Sequence, residues 1–357
     1  MSWTKLLPNI LLVTISLSIG LLCAELVLRV ALPQNLSGSW RMVDPSGLVL
    51  NKTSGKAQHQ LGDTIVQYRF GEFHNRMLAN SSANEHRDRI LVLGDSFTFG
   101  WLLADGKTYV DRLQQAFPSK MFINAAAGGW GTADHAKYIE LFCTQIHPKL
   151  IVIFLNTDDI GRAYRSPLYK LENGKLVQGD PPRQNRLKTL LNSLPLYSWL
   201  LEHSHLVTLV RQVFLSDLVV RGKEASKEQK FEFGPTTLLA NPDEVVSAVI
   251  LGKKLFQKIK IDTENCGADL KVFYTGWAST HDPINDLDPT MVFLREAKHS
   301  GFFAHARIDY IDLTDTESMQ PVYKDRKSHT VPGDGHPNAK GAEAIYSAVR
   351  EKFSFSH

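Results

Sequence analysis

The sequence has little cysteine and little excess charge. Cys23, Cys143 and Cys266 are its only cysteines and none forms a Cys-x-x-Cys pair, which excludes a disulfide-rich scaffold and a cysteine-rich zinc site. A single disulfide between Cys143 and Cys266 remains possible, and the sequence does not decide it. The 40 Lys and Arg against 37 Asp and Glu leave a formal charge of +3, too small for this length to indicate a nucleic-acid partner.

Internal repeats and low-complexity tracts are also absent, and the 24 glycines and 16 prolines are an ordinary share of 357 residues. These features exclude collagen-like and coiled-coil architectures and argue against wholesale disorder. Hydrophobic residues make up 43% of the chain, so it can bury a sizeable core. Its length is about twice a typical domain of roughly 150 residues. Length alone leaves open one large domain with appendages or two small domains.

The N-terminal residues differ from the rest. No charge occurs in residues 10–24, and apolar residues continue almost to residue 33, which is near the roughly 20 residues that cross a bilayer. Glu25 and Arg29 are four apart, so they share a helical face and can pair or reach the interface. We predict a transmembrane signal anchor over residues 1–33. A cleaved signal peptide is the alternative, although no small-x-small cleavage site follows the apolar run.

Residues 34–87 hold scattered Ser, Asn, Gly and Lys, and we predict a membrane-proximal linker and an irregular prelude there. Beyond them, apolar runs that predict strands alternate with capped helical patterns. The predicted strands lie at residues 89–93, 121–123, 150–155, 270–274 and 308–313. Proline-rich residues from about 161 to 242 interrupt this rhythm and predict an insertion or lid. We therefore expect residues 88–357 to form an α/β, three-layer, flavodoxin-like domain with a parallel five-stranded sheet.

Small and polar residues follow the predicted strands, where an open parallel sheet gathers its functional groups. Residues 94–100 come after the first strand, and Ser96 on this tight turn can present its hydroxyl above the sheet. Residues 124–131 come after the second strand, and a glycine there lets a backbone N–H approach a ligand closely. Near the C-terminus, Asp334 lies two residues before His336, just ahead of a predicted helix.

These residues supply the parts of a nucleophilic mechanism. A hydroxyl is a poor nucleophile until a base takes its proton, and a carboxylate beside that base fixes its tautomer and stabilises the imidazolium. Ser96, His336 and Asp334 match those three roles in that order. Acyl transfer also needs donors aimed at the developing oxyanion, for which the N–H groups of Ser96 and Gly129 are candidates. The ordinary alternatives are a turn serine, a helix cap and a glycine turn.

Three blocks carry a resemblance to a known family. Residues 94–100 (GDSFTFG), 124–132 (NAAAGGWGT) and 334–341 (DGHPNAKG) resemble the SGNH, or GDSL-like, hydrolase superfamily. The blocks are spread from about residue 89 to the C-terminus. The first and last blocks together are specific for this superfamily, whereas either alone would be only suggestive. A membrane-anchored bacterial subset with a long middle insertion, often associated with surface polysaccharides, looks most similar.

The resemblance implies a Ser-His-Asp esterase or acylhydrolase of flavodoxin-like fold. By position within the blocks, Ser96 corresponds to the nucleophile, His336 to the base and Asp334 to the carboxylate that orients it. Gly129 corresponds to the glycine of the oxyanion hole.

One block departs from the family pattern. The family has an Asn-Asp pair after the third strand, and the matching residues here are Asp158 and Asp159. An ionised carboxylate cannot donate a hydrogen bond to an oxyanion. Asp158 could be kept protonated, Asn156 could supply the amide donor instead, or the hydrolase could be weakened; we favour Asn156. The two adjacent carboxylates point apart without a third ligand, so we expect no metal, and no cofactor is implied.

The sequence therefore predicts a serine esterase that deacylates an extracytoplasmic glycan or a small acylated molecule. The membrane is the second predicted partner, through the N-terminal helix, with the catalytic domain on the periplasmic side of an inner membrane. O-acyl transfer, a weakened scaffold of a polysaccharide complex and a lipase are the alternatives. Trp101, Trp130 and Trp277 fall near predicted strand ends and could form a sugar-stacking wall or pack in the core.

Overall fold

Strands and helices alternate along the chain in the computed structural model, which describes residues 3–79, 87–180, 190–191, 194–213, 241–277 and 288–355. The strands are β1 (Arg41–Val43), β2 (Val49–Asn51), β3 (Lys56–Leu61), β4 (Thr64–Arg69), β5 (Asp88–Leu93), β6 (Lys120–Asn124), β7 (Leu150–Leu155), β8 (Tyr169–Glu172), β9 (Lys175–Gln178), β10 (Asp269–Tyr274) and β11 (Asp309–Asp312). The helices are α1 (Trp3–Ala31), α2 (Ser96–Phe99), α3 (Tyr109–Ala116), α4 (Thr132–Ile146), α5 (Asp159–Arg165), α6 (Pro195–His203), α7 (205–213), α8 (Pro242–Asn265), α9 (Pro289–His299), α10 (Phe302–His305), α11 (Gln320–Lys324), α12 (Arg326–His329) and α13 (Ala339–Lys352).

The central sheet consists of five parallel strands in the order β11-β10-β7-β5-β6. Helix α3 connects β5 to β6 and α4 connects β6 to β7, as parallel neighbours require. Read from the opposite edge and numbered along the chain, the order is that of flavodoxin-like folds. The predicted α/β fold with a parallel five-stranded sheet is confirmed. The strand order reverses between β5 and β7, and such folds bind ligands at the carboxyl ends of the strands on either side.

Helices cover both faces of the sheet because its central strands are apolar on both faces. Successive side chains of a strand point to opposite faces, so each apolar run feeds two cores. One core includes residues of α4, α8 and α9, and the other includes residues of α3 and α13. The buried β5 and β7 members of the first core are Leu91, Leu93, Ile151, Ile153 and Leu155, and those of the second are Ile90, Val92, Val152 and Phe154.

Residues 34–87, for which the sequence predicts a linker and an irregular prelude, contain the four strands β1–β4 in their described part. β1 pairs with β2, and β3 forms a second two-stranded sheet with β4. Arg76, which is fully buried, then donates hydrogen bonds to the carbonyl oxygens of Phe99, Gly100 and Leu103. The predicted boundaries after residues 33 and 87, and the insertion at about 161–242, stay predictions.

Packing divides the chain into two compact units. The smaller comprises the described residues of Met1–Ser39, Ala57–Val66 and Asn185–Glu232, and the larger comprises those of Trp40–Lys56, Gln67–Gln184 and Phe233–His357. The larger unit holds the five-stranded sheet. The smaller unit holds α1, whose stretch Pro8–Ala31 has 24 residues, a mean hydropathy of 2.4 and no burial. A helix of this length and hydropathy suits a membrane span, and a signal sequence has the same character.

A disulfide joins Cys143, near the end of α4, to Cys266, which caps α8, with 6.0 Å between their Cα atoms. The sequence had left this bridge open. Cys23, in α1, is an exposed free thiol. The bridge closes a sequence separation of 123 residues and ties together two helices of the same core.

We expect replacement of both Cys143 and Cys266 by alanine to lower the free energy of unfolding by about 2–5 kcal/mol, because the cross-link restricts the unfolded chain. Thermal denaturation of the full chain in detergent measures the change. Cys23→Ser is the matched control and should leave the transition where it is. An unchanged transition in the double variant would show that the bridge contributes nothing to stability.

Candidate active site

Ser96 lies three residues after the end of the interior strand β5 and begins α2. Gly94 is required just before it, because a Cβ atom at that position would lie 2.0 Å from Thr98 Oγ1. The Asp95 carboxylate accepts a hydrogen bond from the Phe97 N–H at 2.9 Å and so caps the short helix. This tight turn from strand to helix fixes the Ser96 hydroxyl at the carboxyl edge of the sheet.

Asp334 and His336 lie in a turn that precedes α13. The Val331 N–H donates to the His336 carbonyl at 2.8 Å, and the Asp334 N–H donates to the Val331 carbonyl at 3.1 Å, so the turn closes on itself. The sequence predicted the next helix to begin at Pro337. The structure begins α13 two residues later because the Asn338 side chain caps it.

The turn brings His336 and Asp334 to Ser96. His336 Nε2 lies 2.7 Å from Ser96 Oγ, and His336 Nδ1 is hydrogen-bonded to Asp334 Oδ1. A carboxylate can only accept, so the Nδ1 of the neutral ring carries the proton and Nε2 is the acceptor that faces the hydroxyl. All three side chains are shielded from solvent, Ser96 most of all at 3% exposure. The structure therefore joins the three residues that the sequence singled out.

Gly128 lies beside the serine, and Gly129 follows it in the chain. A Cβ atom at Gly128 would be 3.8 Å from the Cβ of Ser96 and 3.3 Å from the Trp101 ring. Gly129 has φ = +81°, a conformation that side chains other than glycine rarely adopt. Among the described residues, no acceptor binds the N–H of Ser96 or of Gly129. Both N–H groups are therefore available as donors.

Residues 92–213 match the model of the GDSL-like Lipase/Acylhydrolase family. The chain carries a GDSL-like lipase/acylhydrolase domain. The matched residues include Ser96 and Gly129, whereas Asp334 and His336 lie beyond them. The match confirms the resemblance to GDSL-like hydrolases and supports an ester-bond hydrolase. No curated protein matches the sequence.

Solved structures that resemble the chain include several hydrolases. The crystal structure of TesA has 12% sequence identity and a TM-score of 0.41, covering 74% of this chain and 97% of that one. The psychrotrophic esterase EstA from Pseudoalteromonas sp. has 10% identity and a TM-score of 0.39, covering 74% and 97%. A catalytic mutant of an acetylxylan esterase from Geobacillus stearothermophilus has 15% identity and a TM-score of 0.40, covering 76% and 96%.

Asp158 and Asn156, between which the sequence left the third oxyanion donor open, lie after β7. Asp158 Oδ2 accepts a hydrogen bond from Arg162 at 3.2 Å and is partly exposed. Asn156 is buried, its side-chain amide donates to Asp95 at 3.4 Å, and its Oδ1 accepts from the Thr157 N–H at 3.0 Å. The amide that we expected to face the oxyanion thus has a partner in the serine loop.

Arg162, which the sequence analysis did not single out, links the loops after three neighbouring strands of the GDSL-like domain. Its Nη1 donates to Asp95 after β5 at 2.9 Å and to the Trp130 carbonyl after β6 at 3.1 Å. Its Nη2 donates to Asp158 after β7. The signal available in the sequence was the spacing of four between Asp158 and Arg162, which puts them on one face of α5. The other two partners are too distant along the chain to be read from any pattern.

Several buried ionisable groups surround this arginine. Burial raises the pKa of Asp134 to about 6, and burial followed by the charge of Asp95 raises the pKa of Asp159 well above its ordinary value. Burial alone would lower the pKa of Arg162, but Asp95, Asp158 and Asp159 together raise it, so the guanidinium stays charged. Burial also lowers the pKa of His135 from 6.5 to about 4, which keeps that ring neutral at pH 7.

The depressed pKa of His135 predicts a pH effect on stability. Between pH 6.5 and 4 the unfolded state binds the proton and the folded state does not, so acidification through this window destabilises the fold. From pH 7 to pH 5 the loss is about 2 kcal/mol. In urea unfolding, the wild type should therefore lose about 2 kcal/mol more of its free energy of unfolding between pH 7 and pH 5 than the His135→Gln variant does. His299→Gln, at an exposed position, should follow the wild type; a His135→Gln curve parallel to both would contradict the buried neutral ring.

Aromatic rings pack around the imidazole of His336. The Phe97 ring centroid lies 4.8 Å away and the Trp101 centroid 5.7 Å away. Trp40, in turn, lies 5.8 Å from Trp101. The proposed wall of three tryptophans is wrong for two of them, because Trp130 and Trp277 are 1% and 2% exposed and belong to the core clusters. Trp101, which is half-buried, keeps its place beside the site.

Arg41 of β1 also reaches the site, since its Nη2 donates to the Gly128 carbonyl at 2.9 Å. Burial lowers the pKa of its guanidinium, and the charge of Asp134 opposes that effect. The sequence analysis assigned residue 41 to the linker and gave no sign of this contact. In the part of the chain that the structure describes, no group of three or more His, Cys, Asp or Glu side chains could hold a metal ion.

Proposed function

We propose that the protein is a membrane-anchored serine esterase that removes a short acyl group from an extracytoplasmic glycan. Ser96 acts as nucleophile, His336 as general base and acid, and Asp334 as the carboxylate that orients the ring. The observation that carries the proposal is the continuous chain of hydrogen bonds from Ser96 Oγ through His336 to Asp334. Ser96 lies in the part of the chain that matches the GDSL-like Lipase/Acylhydrolase family.

The reaction follows from this order of groups. Ser96 Oγ forms a bond to the ester carbonyl carbon as its proton passes to His336 Nε2, and the carbonyl π electrons move to the oxygen. When the tetrahedral intermediate collapses, the bond to the alcohol oxygen breaks and His336 returns the proton to that oxygen. Water then attacks the acyl-enzyme, His336 takes its proton, and Ser96 leaves with that proton as the carboxylic acid is released. Asp334 stays ionised and stabilises each imidazolium.

The oxyanion forms where two backbone donors are available. The N–H groups of Ser96 and Gly129 are our candidates for its stabilisation, and one such donor is worth about 2.7–4 kcal/mol in a well-formed hole. Asn156 remains the candidate for a third donor, provided that its long hydrogen bond of 3.4 Å to Asp95 yields to substrate. Asp158, at the family's asparagine position, supplies no donor while it is paired with Arg162.

A glycan substrate is supported by the aromatic surface of the site. The half-buried ring of Trp101 lies beside His336, and an aromatic face suits the apolar face of a sugar ring. This argument goes together with the resemblance of the sequence to anchored hydrolases of surface polysaccharides.

An extracytoplasmic location is supported by two features. The bridge between Cys143 and Cys266 is of a kind that persists in oxidising compartments. Helix α1 has the length and hydropathy of a membrane span. We propose that α1 anchors the chain in the inner membrane with the catalytic domain in the periplasm.

One observation favours a second candidate function. The half-buried ring of Trp101 beside His336 could hold an acceptor sugar next to the acyl-enzyme. A sugar hydroxyl held there would compete with water by proximity, and the net reaction would be O-acyl transfer. Because Asp158 supplies no oxyanion donor while it is paired with Arg162, both attacks are expected to be slower than in a complete site. A scaffold that only binds glycan is the limiting case of the same weakness.

The experiment uses the full chain in detergent with an acetylated oligosaccharide as acyl donor, with and without an unacetylated oligosaccharide as acceptor. Acetate release is measured by an enzyme-coupled assay and acceptor acetylation by mass spectrometry. We expect acetate release without acceptor. Acetylated acceptor in place of free acetate would establish transfer. If neither acetate nor acetylated acceptor forms, the proposed chemistry on glycans is contradicted.

A further inference from the structure

Helices α6 and α7 of the smaller unit expose large apolar side chains. Leu196 is 67% exposed, Trp199 54% and Val213 51%, and Leu194 and Val210 are exposed as well. Leu196 and Trp199 are three residues apart, as are Val210 and Val213, so each pair shares one helix face. Single exposed apolar residues need no explanation, but a cluster on two successive helices indicates an interaction surface.

The two charged residues in the apolar stretch of α1 bind to these helices. Glu25 accepts hydrogen bonds from the Ser204 hydroxyl and from the first two backbone N–H groups of α7, at 2.8–3.0 Å. Its negative charge thereby caps the positive end of α7. Arg29 pairs with Glu25 at 2.9 Å and donates to the His203 carbonyl at the end of α6. These contacts fix α6 and α7 against the C-terminal turns of α1.

The chain that leaves α1 is attached to the same helices. The Gln34 N–H donates to His205 Nδ1 at 2.8 Å. Glu202 accepts from the Gln58 N–H at 3.0 Å, and a Cβ atom at Gly38 would lie only 2.0 Å from Glu202 Oε1. Ser204, His205 and Glu202 are thus used in contacts within the unit, whereas the apolar cluster is exposed.

We propose that α6 and α7 lie in the surface of the lipid bilayer beside α1, with the exposed cluster of Leu194, Leu196, Trp199, Val210 and Val213 in contact with lipid. The helices that carry the cluster are hydrogen-bonded to α1, whose apolar side chains are likewise exposed. Trp199 stacks on His203 at 4.7 Å, and such rings with an apolar body and a polar edge suit the membrane interface. The inference rests on the proposed anchoring by α1 and adds a second membrane contact to it.

The length of α1 agrees with a position of α6 and α7 at the bilayer surface. Its stretch of 24 residues spans about 36 Å as a helix, against a hydrocarbon core of about 30 Å. Glu25 lies about 9 Å along the axis from the end of α1. A charged pair at this depth is tolerated when protein groups satisfy it, which is what Ser204 and the end of α7 do.

The sequence of the surface helices indicates an apolar attraction. Glu202 and Arg211 are the ionic side chains of residues 194–213, and their charges cancel. A surface helix that binds through anionic headgroups is instead rich in Lys and Arg. We therefore expect lipid contact to be independent of the anionic lipid content.

The test uses full chains reconstituted into vesicles of equal parts phosphatidylethanolamine and phosphatidylglycerol. An environment-sensitive fluorophore is attached to one cysteine, with the Cys143–Cys266 bridge left oxidised. Native Cys23 reports on α1. In a Cys23→Ser background, Trp199→Cys and Val213→Cys report on α6 and α7, and Val246→Cys is the matched control, an exposed valine of α8 in the larger unit. Quenching by doxyl-labelled lipids and by aqueous iodide is compared.

We expect lipid quenching of the labels at positions 199 and 213 to exceed that at position 246 several-fold, with the reverse for iodide. Repeating the measurement in phosphatidylcholine vesicles should give the same result. Iodide quenching at positions 199 and 213 equal to that at 246 would overturn the inference, and so would protection from both quenchers, which indicates a protein partner or a second copy. Absence of lipid quenching at Cys23 would refute the anchor itself, so the two failures are distinguishable.

Discussion

Replacing Ser96 by alanine is expected to lower kcat for p-nitrophenyl acetate by at least about 10³-fold, because the nucleophile that forms the acyl-enzyme is removed. His336→Ala should have a similar effect, since the Ser96 hydroxyl then has no base at Nε2. The two losses should not add, because the residues act as one unit. Steady-state rates and circular dichroism of each purified full-length variant measure the activity and the fold.

Ser347→Ala is the matched control, since this serine lies on α13 in the same unit and its hydroxyl contacts only Glu343 among the described residues. It should retain wild-type activity. A Ser96→Ala variant that keeps the wild-type rate would remove the nucleophile assignment. If Ser96→Ala loses both its activity and its folded spectrum, it does not test the role of Ser96. The activity of the folded His336→Ala variant would then decide whether Ser96 and His336 act together.

Replacing Arg162 by glutamine is expected to destabilise the fold by about 3–5 kcal/mol, because it leaves the buried carboxylate of Asp95 without its cation. It should also lower kcat on the folded fraction by about 10²-fold, because the serine loop loses the contact that holds it to its neighbours. KM should change little, since Arg162 is placed under the loops and acts through Asp95. Thermal denaturation and kinetics well below the transition measure the two effects separately.

Arg162→Lys sharpens the interpretation, because a single ammonium keeps the charge but cannot reproduce the planar guanidinium geometry. We expect it to recover most of the stability and only part of kcat. Arg350→Gln is the matched control, since Arg350 is exposed on α13 and should be neutral in both measurements. Equal losses of kcat for the lysine and glutamine variants, with stability restored by lysine, would assign the role to geometry alone. Wild-type kcat in Arg162→Gln would contradict the positioning role.

The central sheet could be predicted because its physical signals are local. Continuous apolar runs such as β5 and β7 indicate strands buried on both faces, and Thr108 caps α3 through the box with Asp111 that the spacing suggested. Ser96, Asp334 and His336 could be found because each lies beside a recognisable turn at a strand or helix end. The distance of 2.7 Å between Ser96 Oγ and His336 Nε2 depends on tertiary structure. The sequence blocks implied this contact only through their resemblance to the family.

The rest depended on contacts between distant residues. Strands β1 and β2 have three residues each, and β3 and β4 mix apolar and polar residues without strict alternation, so no period distinguishes them from a loop. Arg41 and Arg162 act through carbonyl groups and carboxylates that are remote in sequence. Two of the three tryptophans near strand ends are buried because the sheet is covered on both faces, which leaves no room for a wall of rings. The hydrogen bonds of Glu25 and Arg29 to residues 203–206 could not be predicted, because those residues are remote in sequence.

The most direct test of the central claim is the site of covalent modification by a fluorophosphonate, because such a reagent is attacked by a serine that a neighbouring base activates. The full chain is labelled at neutral pH, digested and mapped by mass spectrometry. We predict one adduct, on the peptide that contains Ser96, and its loss in the folded His336→Ala variant. An active enzyme that carries the adduct on another residue, or that labels equally well without His336, would contradict the account.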